Sequence, residues 1–282
     1  MQDVERSRGQ EALTSAVRDY YDRKREDRNL LLAGDSGIVN HHFGIGDFDR
    51  RRSLEALTQR EIAEILHRLE MTQIDELVRT MGQILPEHRV LDAGCGRGGT
   101  TISIVERFGA RADGITISPY QWRFATGLAA KRGLARQACF HLMNYLELDF
   151  PDGSFDHVVT NESTQYVIDV GDLVEGFARV LKPRGRYTNV TWCINDELGP
   201  TNEQARQIDR HYGTNMNRRG EYLAALAAHG FSGVTIDDRT DQAIPYWELR
   251  RRWEHRSGIE EAFLEGHRSR RILYLFITAS KE

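Results

Sequence analysis

The chain has 282 residues, of which 40% are hydrophobic and 28% charged, and its formal net charge is −4. This length is enough for one α/β domain with a smaller appendage. The weak negative charge gives no support to a nucleic-acid partner. No segment approaches the roughly 18 consecutive apolar residues of a membrane span, and residues 1–18 lack the apolar core of a signal peptide. We therefore expect a cytoplasmic protein that binds neither nucleic acid nor membrane.

The three cysteines, Cys95, Cys139 and Cys193, lie in or beside predicted strands and form no Cys-x-x-Cys pattern. This distribution predicts three buried thiols in a reducing compartment. It indicates neither a disulfide framework nor a metal site.

Residues 1–84 are predicted to be helical apart from a loop near 34–49, and we expect them to form a cap or lid. Apolar residues recur at helical spacing across 54–84. The segment 16–21 predicts a short amphipathic helix, and an isolated helix of this size is only marginally stable in water. We therefore expect it to dock on the mouth of the chain's own ligand site or on a neighbour. The second option implies a homo-oligomer that exchanges N-terminal segments.

From residue 89 onward, strand patterns alternate with helix patterns. Strands are predicted over 89–94, 112–118, 138–144, 155–161, 185–193, 233–238 and 272–278. Helices are predicted over 98–108, 119–132, 170–181, a polar stretch ending near 212, 219–228 and 246–268. This alternation predicts an α/β fold with a parallel sheet covered on both faces. Residues 85–282 form the predicted core, with about 196–216 as an insertion that adds to the cap.

The most informative run is RVLDAGCGRGG at 89–99, where a predicted strand breaks into glycine-rich backbone before a helix. Glycine has no Cβ, so a nucleoside-like ligand can approach the main chain there. The spacing matches neither the dinucleotide fingerprint nor the P-loop. The ends of the next strands supply hydroxyl, amide and aromatic groups suited to a ribose, a carboxylate or an adenine. The predicted cofactor-binding residues are Asp92, Gly94, Gly96, Thr116, Ser118, Gln121, Asn144, Tyr145 and Asn161.

Three motifs in order resemble those of class I S-adenosylmethionine-dependent methyltransferases. VLDAGCGRGG at 90–99 is similar to their motif I, FPDGSFD at 150–156 to the acidic loop before their fourth strand, and VLKPRGR at 180–186 to the turn before the fifth. The resemblance implies a Rossmann-like seven-stranded sheet that binds S-adenosyl-L-methionine. The second strand ends in TIS at 116–118 instead of the acid that many of these enzymes use. This strand end is similar to that of the branch of the family that acts on lipid-like alkenes.

A narrower resemblance covers nearly the whole chain. It rests on NHHFGIG at 40–46, HRLE at 67–70, NESTQY at 161–166, PYWELR at 245–250 and GIEEAF at 258–263. These motifs are similar to those of the terpenoid C-methyltransferases. That group includes enzymes that act on geranyl diphosphate and a teleocidin-type enzyme that methylates a geranyl chain on an indole alkaloid. The resemblance implies methylation of an alkene carbon; a non-catalytic cofactor-binding protein is a remote alternative.

Attack by an alkene on a methyl group leaves a tertiary carbocation, so the site must exclude water and offer aromatic faces. The resemblance implies Glu162 as the base that removes a proton, with Phe43 and Tyr212 as pocket aromatics. The ordinary alternatives are a helix cap for Glu162 and core packing for the aromatic residues. Rearrangement or cyclisation of the cation, in place of proton removal, is also left open. The predicted substrate-binding residues are Tyr21, Asn29, His42, Tyr166, Trp192 and Trp247.

The choice of substrate depends on departures from the diphosphate enzymes, which typically have NLRLG and HHHY where this chain has NLLLAG at 29–34 and NHHF at 40–43. One arginine, one histidine and one phenol are missing, which is unfavourable for a diphosphate with Mg²⁺. A basic run at 23–28 can compensate, although such runs usually form a solvated helix face. The sequence therefore favours a prenylated indole alkaloid and no metal, with geranyl diphosphate as the alternative.

Overall fold

The computed structural model describes residues 2–24, 28–33, 37–49, 51, 53–199 and 202–282. The strands within these ranges are β1 (Arg89–Ala93), β2 (Arg111–Thr116), β3 (Ala138–Leu142), β4 (Phe155–Asn161), β5 (Leu181–Ile194), β6 (Phe231–Asp238) and β7 (Ile272–Lys281). They form one seven-stranded sheet in the order β3-β2-β1-β4-β5-β7-β6. The predicted Rossmann-like α/β fold is therefore confirmed.

The helices are α1 (Gln2–Arg23), α2 (Gln59–Thr80), α3 (Gly99–Phe108), α4 (Pro119–Lys131), α5 (Val170–Val180), α6 (Glu203–Tyr212), α7 (Arg219–Ala228), α8 (Thr240–Arg252) and α9 (Glu260–Arg268). The sequence predicted one helix over 246–268, where the structure has two. Gly258 between them has a φ of +96°, which a right-handed helix cannot contain. Among these helices none combines the length and apolar character that crossing a bilayer requires.

The sheet is mixed, because β7 runs antiparallel to both β5 and β6. The predicted parallel arrangement holds for β1 to β5, and the antiparallel strand β7 departs from it. The first residue of β7, Ile272, pairs with Ile194 at the carboxyl end of β5. The chain leaves α9 at that end of the sheet, so β7 can only run back in the opposite direction. This reversal brings the first residues of β7 to the edge where the ligand site lies.

Side chains of β7 alternate between the two core layers, as the period of a strand requires. Ile272, Tyr274 and Phe276 pack in one layer, and Leu273, Leu275 and Ile277 pack in the other. The apolar face of α2 joins the first layer through Ile62, Leu66 and Leu69. Burying each such side chain stabilises the fold by roughly 1.5–3 kcal/mol. The helix α2 is thus fixed against the sheet.

Helix α1 lies over the carboxyl edge of the sheet of its own chain. Gln10 donates from Nε2 to the Tyr166 carbonyl at 3.0 Å and accepts from the Ile168 N–H at 2.8 Å. Near the other end of the helix, Asp22 accepts from the Tyr120 N–H at 2.9 Å. These contacts place α1 at the mouth of its own site. Exchange of this segment between subunits stays a prediction.

The cysteines differ in exposure. Cys95 and Cys193 are buried, whereas Cys139 is exposed. The prediction of a third buried thiol was wrong, because Cys139 lies on β3 at the edge of the sheet.

Candidate active site

A cleft of about 920 Å³ opens at the carboxyl ends of the parallel strands and is lined by Asp92 at the end of β1. The Thr101 hydroxyl donates to Oδ2 of Asp92 at 2.6 Å. Its other oxygen, Oδ1, is buried and has no hydrogen-bond partner among the described residues. Burial raises the pKa of Asp92 to about 6, against the Thr101 hydrogen bond. A cationic group in the cleft would satisfy this open acceptor.

Two positions of the turn after β1 require glycine for different structural reasons. Gly94 has a φ of +87°, and a Cβ there would overlap the Ser163 side chain. Gly96 has a φ of +53°, and its Cβ would face the cleft, 3.9 Å from Gln121 Nε2 and from His41 Nδ1. Packing therefore requires glycine at 94, whereas at 96 the absence of a side chain leaves room for a ligand.

The structure places most of the predicted cofactor-binding residues on this cleft. They are Asp92, Gly94, Gly96, Thr116, Gln121, Asn144, Tyr145 and Asn161. Ser118 is the exception, because it is fully buried and its hydroxyl caps α4 by accepting from the Gln121 N–H at 3.2 Å. Its assignment to the cofactor is corrected to a structural cap.

A second cavity, of about 1120 Å³, adjoins the cleft and is rich in aromatic side chains. The predicted residues on its wall are Tyr21, Asn29, His42, Phe43, Tyr166, Trp192 and Tyr212. Trp247 is not on this wall. It is 1% exposed and lies behind Phe43, with the ring centroids 4.4 Å apart, and it stacks on Phe263 at 4.1 Å. The assignment of Trp247 to the substrate is corrected: it supports Phe43 from behind.

Glu162 stands where the cleft meets the aromatic cavity and lines both. It follows β4 directly, and its φ of +50° is uncommon for a residue with a side chain. Its Oε1 accepts from the Phe43 N–H at 2.9 Å and from the Tyr274 hydroxyl. Burial raises the pKa of Glu162 to about 8, and these two donors, together with the Trp192 indole, oppose the shift. A carboxyl group with this pKa is well suited to accept a proton near neutral pH.

The sequence reasoning missed Arg250, which lies on α8 and lines the aromatic cavity. It is 8% exposed, and its Nε and Nη1 have no hydrogen-bond partner in the described part of the chain. Its guanidinium carbon lies 4.9 Å above the Trp253 ring. Tyr246, Tyr212, Glu70 and Glu260 stabilise its charge. The two buried N–H groups that lack an acceptor are still costly, so this cavity favours a ligand with negatively charged acceptor atoms. The available signal was the i, i+4 spacing from Tyr246, which puts both side chains on one helix face.

The basic run at 23–28 contributes Lys24 to the cavity wall. Arg23 is exposed and donates to the Asp19 carbonyl at 3.0 Å. Arg25 and the side chain of Arg28 lie outside the described residues. Leu31, which replaces the arginine of the diphosphate enzymes, is 58% exposed and is not on the cavity wall.

Comparisons with known proteins agree with this geometry. Residues 90–185 match the family model described as a methyltransferase domain. The chain is 36% identical over 268 residues to the geranyl diphosphate 2-C-methyltransferase of Saccharopolyspora erythraea, covering 94% of each protein. It is also 36% identical to the enzyme of that name from Streptomyces coelicolor, covering 93% of this chain and 90% of the relative.

Solved structures give the same result. A geranyl diphosphate methyltransferase in complex with GPP and sinefungin superposes with a TM-score of 0.92 at 33% identity, covering 96% of this chain and 100% of that one. The Streptomyces coelicolor A3(2) geranyl diphosphate C-methyltransferase, in complex with Mg²⁺, geranyl-S-thiolodiphosphate and S-adenosyl-L-homocysteine, superposes with a TM-score of 0.91 at 34% identity, covering 96% and 98%. The chain therefore belongs to the class I methyltransferases and, within them, to the S-adenosylmethionine-dependent C-methyltransferases.

Proposed function

We propose that this enzyme methylates an alkene carbon of geranyl diphosphate. The observation that carries the choice of substrate is Arg250, a buried guanidinium on the wall of an aromatic cavity whose Nε and Nη1 have no hydrogen-bond partner among the described residues. An isoprenoid diphosphate has an apolar chain for the aromatic faces and an anion for the cation. The names of the relatives support the same substrate.

The cleft suits S-adenosylmethionine, which supplies a methyl group on a sulfonium when it is bound. Asp92 offers its open Oδ1 to a cationic amino group, and Gly96 leaves room for the ligand beside the main chain. The residues that line both cavities are Tyr21, His41, His42, Glu162 and Tyr166. They hold the alkene next to the methyl group and exclude water, and positioning of this kind contributes up to ~7–11 kcal/mol.

In the reaction, the π electrons of the alkene form a bond to the methyl carbon, and the carbon–sulfur bond breaks to leave S-adenosylhomocysteine. The positive charge then lies on the neighbouring substrate carbon. Phe43, Trp192 and Tyr212 present aromatic rings to the cavity that holds it, each worth about 2 kcal/mol when desolvated. A C–H bond next to the cation breaks, its electrons restore the alkene, and Glu162 takes the proton.

The prenylated indole favoured by the sequence alone has less support. Its case rested on Leu31 and Phe43 as replacements for polar groups. Leu31 lies away from the cavity wall and is 58% exposed, so its apolar character says nothing about the ligand. Arg250 supplies a cation that the sequence argument overlooked.

A diphosphate usually enters an enzyme with Mg²⁺. The ranges described here contain no group of three His, Cys, Asp or Glu side chains that could hold a metal ion. We therefore assign no protein ligand to a metal ion, and the steps above are those of the chain's own residues. Any Mg²⁺ requirement would come from the phosphate oxygens of the substrate.

The decisive variant is Glu162→Gln, which keeps the shape of the side chain and removes its capacity to accept a proton. We expect turnover of geranyl diphosphate to fall by about 10²–10⁴, while calorimetry gives an unchanged affinity for S-adenosylhomocysteine. Asp209→Asn is the control. Burial also raises the pKa of Asp209, and Asp209 lines neither cavity. Full activity of Glu162→Gln with unchanged products would refute the role of Glu162 as base.

A further inference from the structure

A chain of buried hydrogen bonds leads to Glu162 from behind and is not used in the mechanism above. Its members lie on four elements: Asn161 ends β4, Gln73 lies on α2, Tyr274 on β7 and Thr100 on α3. Gln73 and Tyr274 are fully buried. Buried polar networks are retained only when their members satisfy one another, since each unmet group is costly.

The amide groups of Gln73 and Asn161 hold each other in a fixed orientation. Gln73 Nε2 donates to Asn161 Oδ1 at 2.6 Å, and Asn161 Nδ2 donates back to Gln73 Oε1 at 3.2 Å. Asn161 Nδ2 also donates to the Thr100 hydroxyl at 3.1 Å. With its oxygen accepting from Asn161, Gln73 can present only N–H donors to its remaining neighbour.

That neighbour is the Tyr274 hydroxyl, which receives a hydrogen bond from Gln73 Nε2 at 3.2 Å. Because its oxygen accepts from Gln73, the hydroxyl proton of Tyr274 is directed to its other partner, Oε1 of Glu162. The Phe43 N–H points at the same oxygen, at 2.9 Å. Oε1 is therefore occupied by two donors and has no room for a proton of its own.

The second oxygen, Oε2, is in a different situation. The Trp192 indole N–H acts on the carboxyl group as a further donor that lowers the pKa of Glu162, although its geometry does not reach that of a full hydrogen bond. Oε2 is not among the buried polar atoms without a partner, and Glu162 lines both cavities. We therefore take Oε2 as the oxygen that is accessible to the ligands.

We propose that Tyr274, oriented by Gln73, is a positioning residue that keeps Oε1 of Glu162 occupied, so that Oε2 receives the proton of the substrate. This inference rests on the proposed function, because it requires Glu162 to be the base. In the step concerned, a substrate C–H bond breaks, its electron pair closes the alkene, and the proton forms an O–H bond with Oε2. The donors on Oε1 also favour the carboxylate form that the step needs.

The titratable groups whose charges interact with Glu162 include Tyr21 on α1, Glu70 on α2, Tyr246 on α8 and Tyr274 on β7. Further ionisable side chains line the same cavity, and they are Lys24, His41, His42, Tyr166, His211, Tyr212, Arg250 and His255. Apart from burial, the groups that shift the pKa of Glu162 are neutral donors, the Tyr274 hydroxyl first, then the Phe43 N–H and the Trp192 indole. These donors favour the carboxylate form of Glu162.

The test compares Tyr274→Phe with the wild-type enzyme across pH. Loss of the hydroxyl raises the pKa of Glu162 by about one unit, so kcat near pH 7 falls about tenfold and recovers toward the wild-type value as the pH rises. KM for geranyl diphosphate stays within about twofold, because Tyr274 lines neither cavity. NMR titration of protein labelled with ¹³C at the glutamate carboxyl carbon, with Glu162→Gln to identify the signal, measures the same shift without substrate.

Tyr187→Phe is the matched control. Tyr187 is a buried tyrosine whose hydroxyl contacts the Thr160 hydroxyl at 2.9 Å, so its loss carries a similar structural cost without touching Glu162. If Tyr274→Phe does not fold, Gln73→Leu replaces it. That variant frees the Tyr274 hydroxyl to rotate, and we expect a smaller shift in the same direction.

The outcomes separate the two proposals. A folded Tyr274→Phe enzyme with an unmoved pH profile and an unmoved Glu162 signal overturns the positioning role, provided that Glu162→Gln is inactive. A fully active Glu162→Gln with unchanged products overturns the base assignment itself. A third outcome is that Tyr274→Phe loses kcat at every pH and that Tyr187→Phe loses as much. That result would show a purely structural role for Tyr274 and would also overturn the inference.

Discussion

At the scale of single residues, the site contains two carboxyl groups, one buried and one partly buried, with different surroundings. Asp92 has one oxygen held by Thr101 and one without a partner among the described residues. Glu162 has one oxygen held by two donors, and the residue lines both cavities. Burial raises the pKa of both, to about 6 and about 8. The first group is therefore ionised at neutral pH and suited to bind a cation, and the second is close to its titration point and suited to exchange a proton.

This difference predicts how cofactor binding depends on pH. Because the pKa of Asp92 is raised to about 6, its carboxylate is lost as the pH falls through that value. We expect the affinity for S-adenosylhomocysteine, measured by calorimetry, to weaken below about pH 6 and to be constant above about pH 7. Asp92→Asn should bind weakly at every pH with a flat profile. A wild-type affinity that does not change between pH 5 and 8 would contradict the proposal that Asp92 pairs with a cationic group of the cofactor.

The glycine turn gives a second test at this scale. Gly96→Val places a side chain in the cleft, so we expect the affinity for S-adenosylhomocysteine to fall by more than about tenfold. Gly109→Val is the matched control: Gly109 has a φ of +65° and a Cβ there meets nothing within 4 Å, so both variants have the same type of backbone strain. Equal affinities in the two folded proteins would remove the assignment of Gly96. Gly94→Val is uninformative here, because it collides with Ser163.

At the scale of elements, the sequence predicted most strands and helices. It failed where the structure of a segment depends on residues far away in the chain. The run at 89–99 was recognisable because its glycines and its apolar strand are local features. The break at Gly258 was hidden inside a charged helical pattern, and the reversal of β7 depends on where α9 ends. Tyr274 and Arg250 come to the site from β7 and α8. The i, i+4 spacing of Arg250 from Tyr246 is a local signal, but tertiary packing decides that this helix face lines the cavity. Ser118 and Trp247 have suitable chemistry, but packing turns them away from the ligand.

Helix α1 offers a test at this scale. Its contacts with Tyr166, Ile168 and Tyr120 close the cavity mouth, and the Tyr21 and Tyr166 hydroxyls are hydrogen-bonded at 2.7 Å. We expect deletion of residues 1–23 to reduce turnover at least about tenfold, since water then reaches the cation. If the segment is also exchanged between subunits, the mass from light scattering falls in parallel. Unchanged rate and mass would show a passive tail, whereas a slower enzyme of unchanged mass would leave only the lid role.

At the scale of the whole molecule, the sheet edge collects groups from the entire chain into two adjoining cavities. The cleft is built largely from the parallel strands and the turns after them, which motif I makes predictable. The aromatic cavity draws on α1, the loop at 40–46, β5, α6 and α8, so its polarity follows from tertiary packing. This explains why the sequence identified the cofactor more securely than the substrate. In our proposal, one buried arginine, together with the relatives, reverses the preference between the two substrates.

The identity of the substrate is tested on the intact enzyme by measuring how activity changes with salt and with EDTA. If a diphosphate is bound, activity should fall with salt and be lost in EDTA, because its charge must be met by Mg²⁺ and basic side chains. The sequence alone led us to expect activity to persist in EDTA; Arg250 and the relatives reverse that expectation.

Arg250→Met should raise KM for geranyl diphosphate about 10–100-fold, which corresponds to the loss of a hydrogen bond to a charged group. Arg251→Met is the control, since Arg251 pairs with Glu261 at the surface. Efficient methylation of a geranylated indole in EDTA, with Arg250→Met as active as wild type, would instead restore the uncharged substrate.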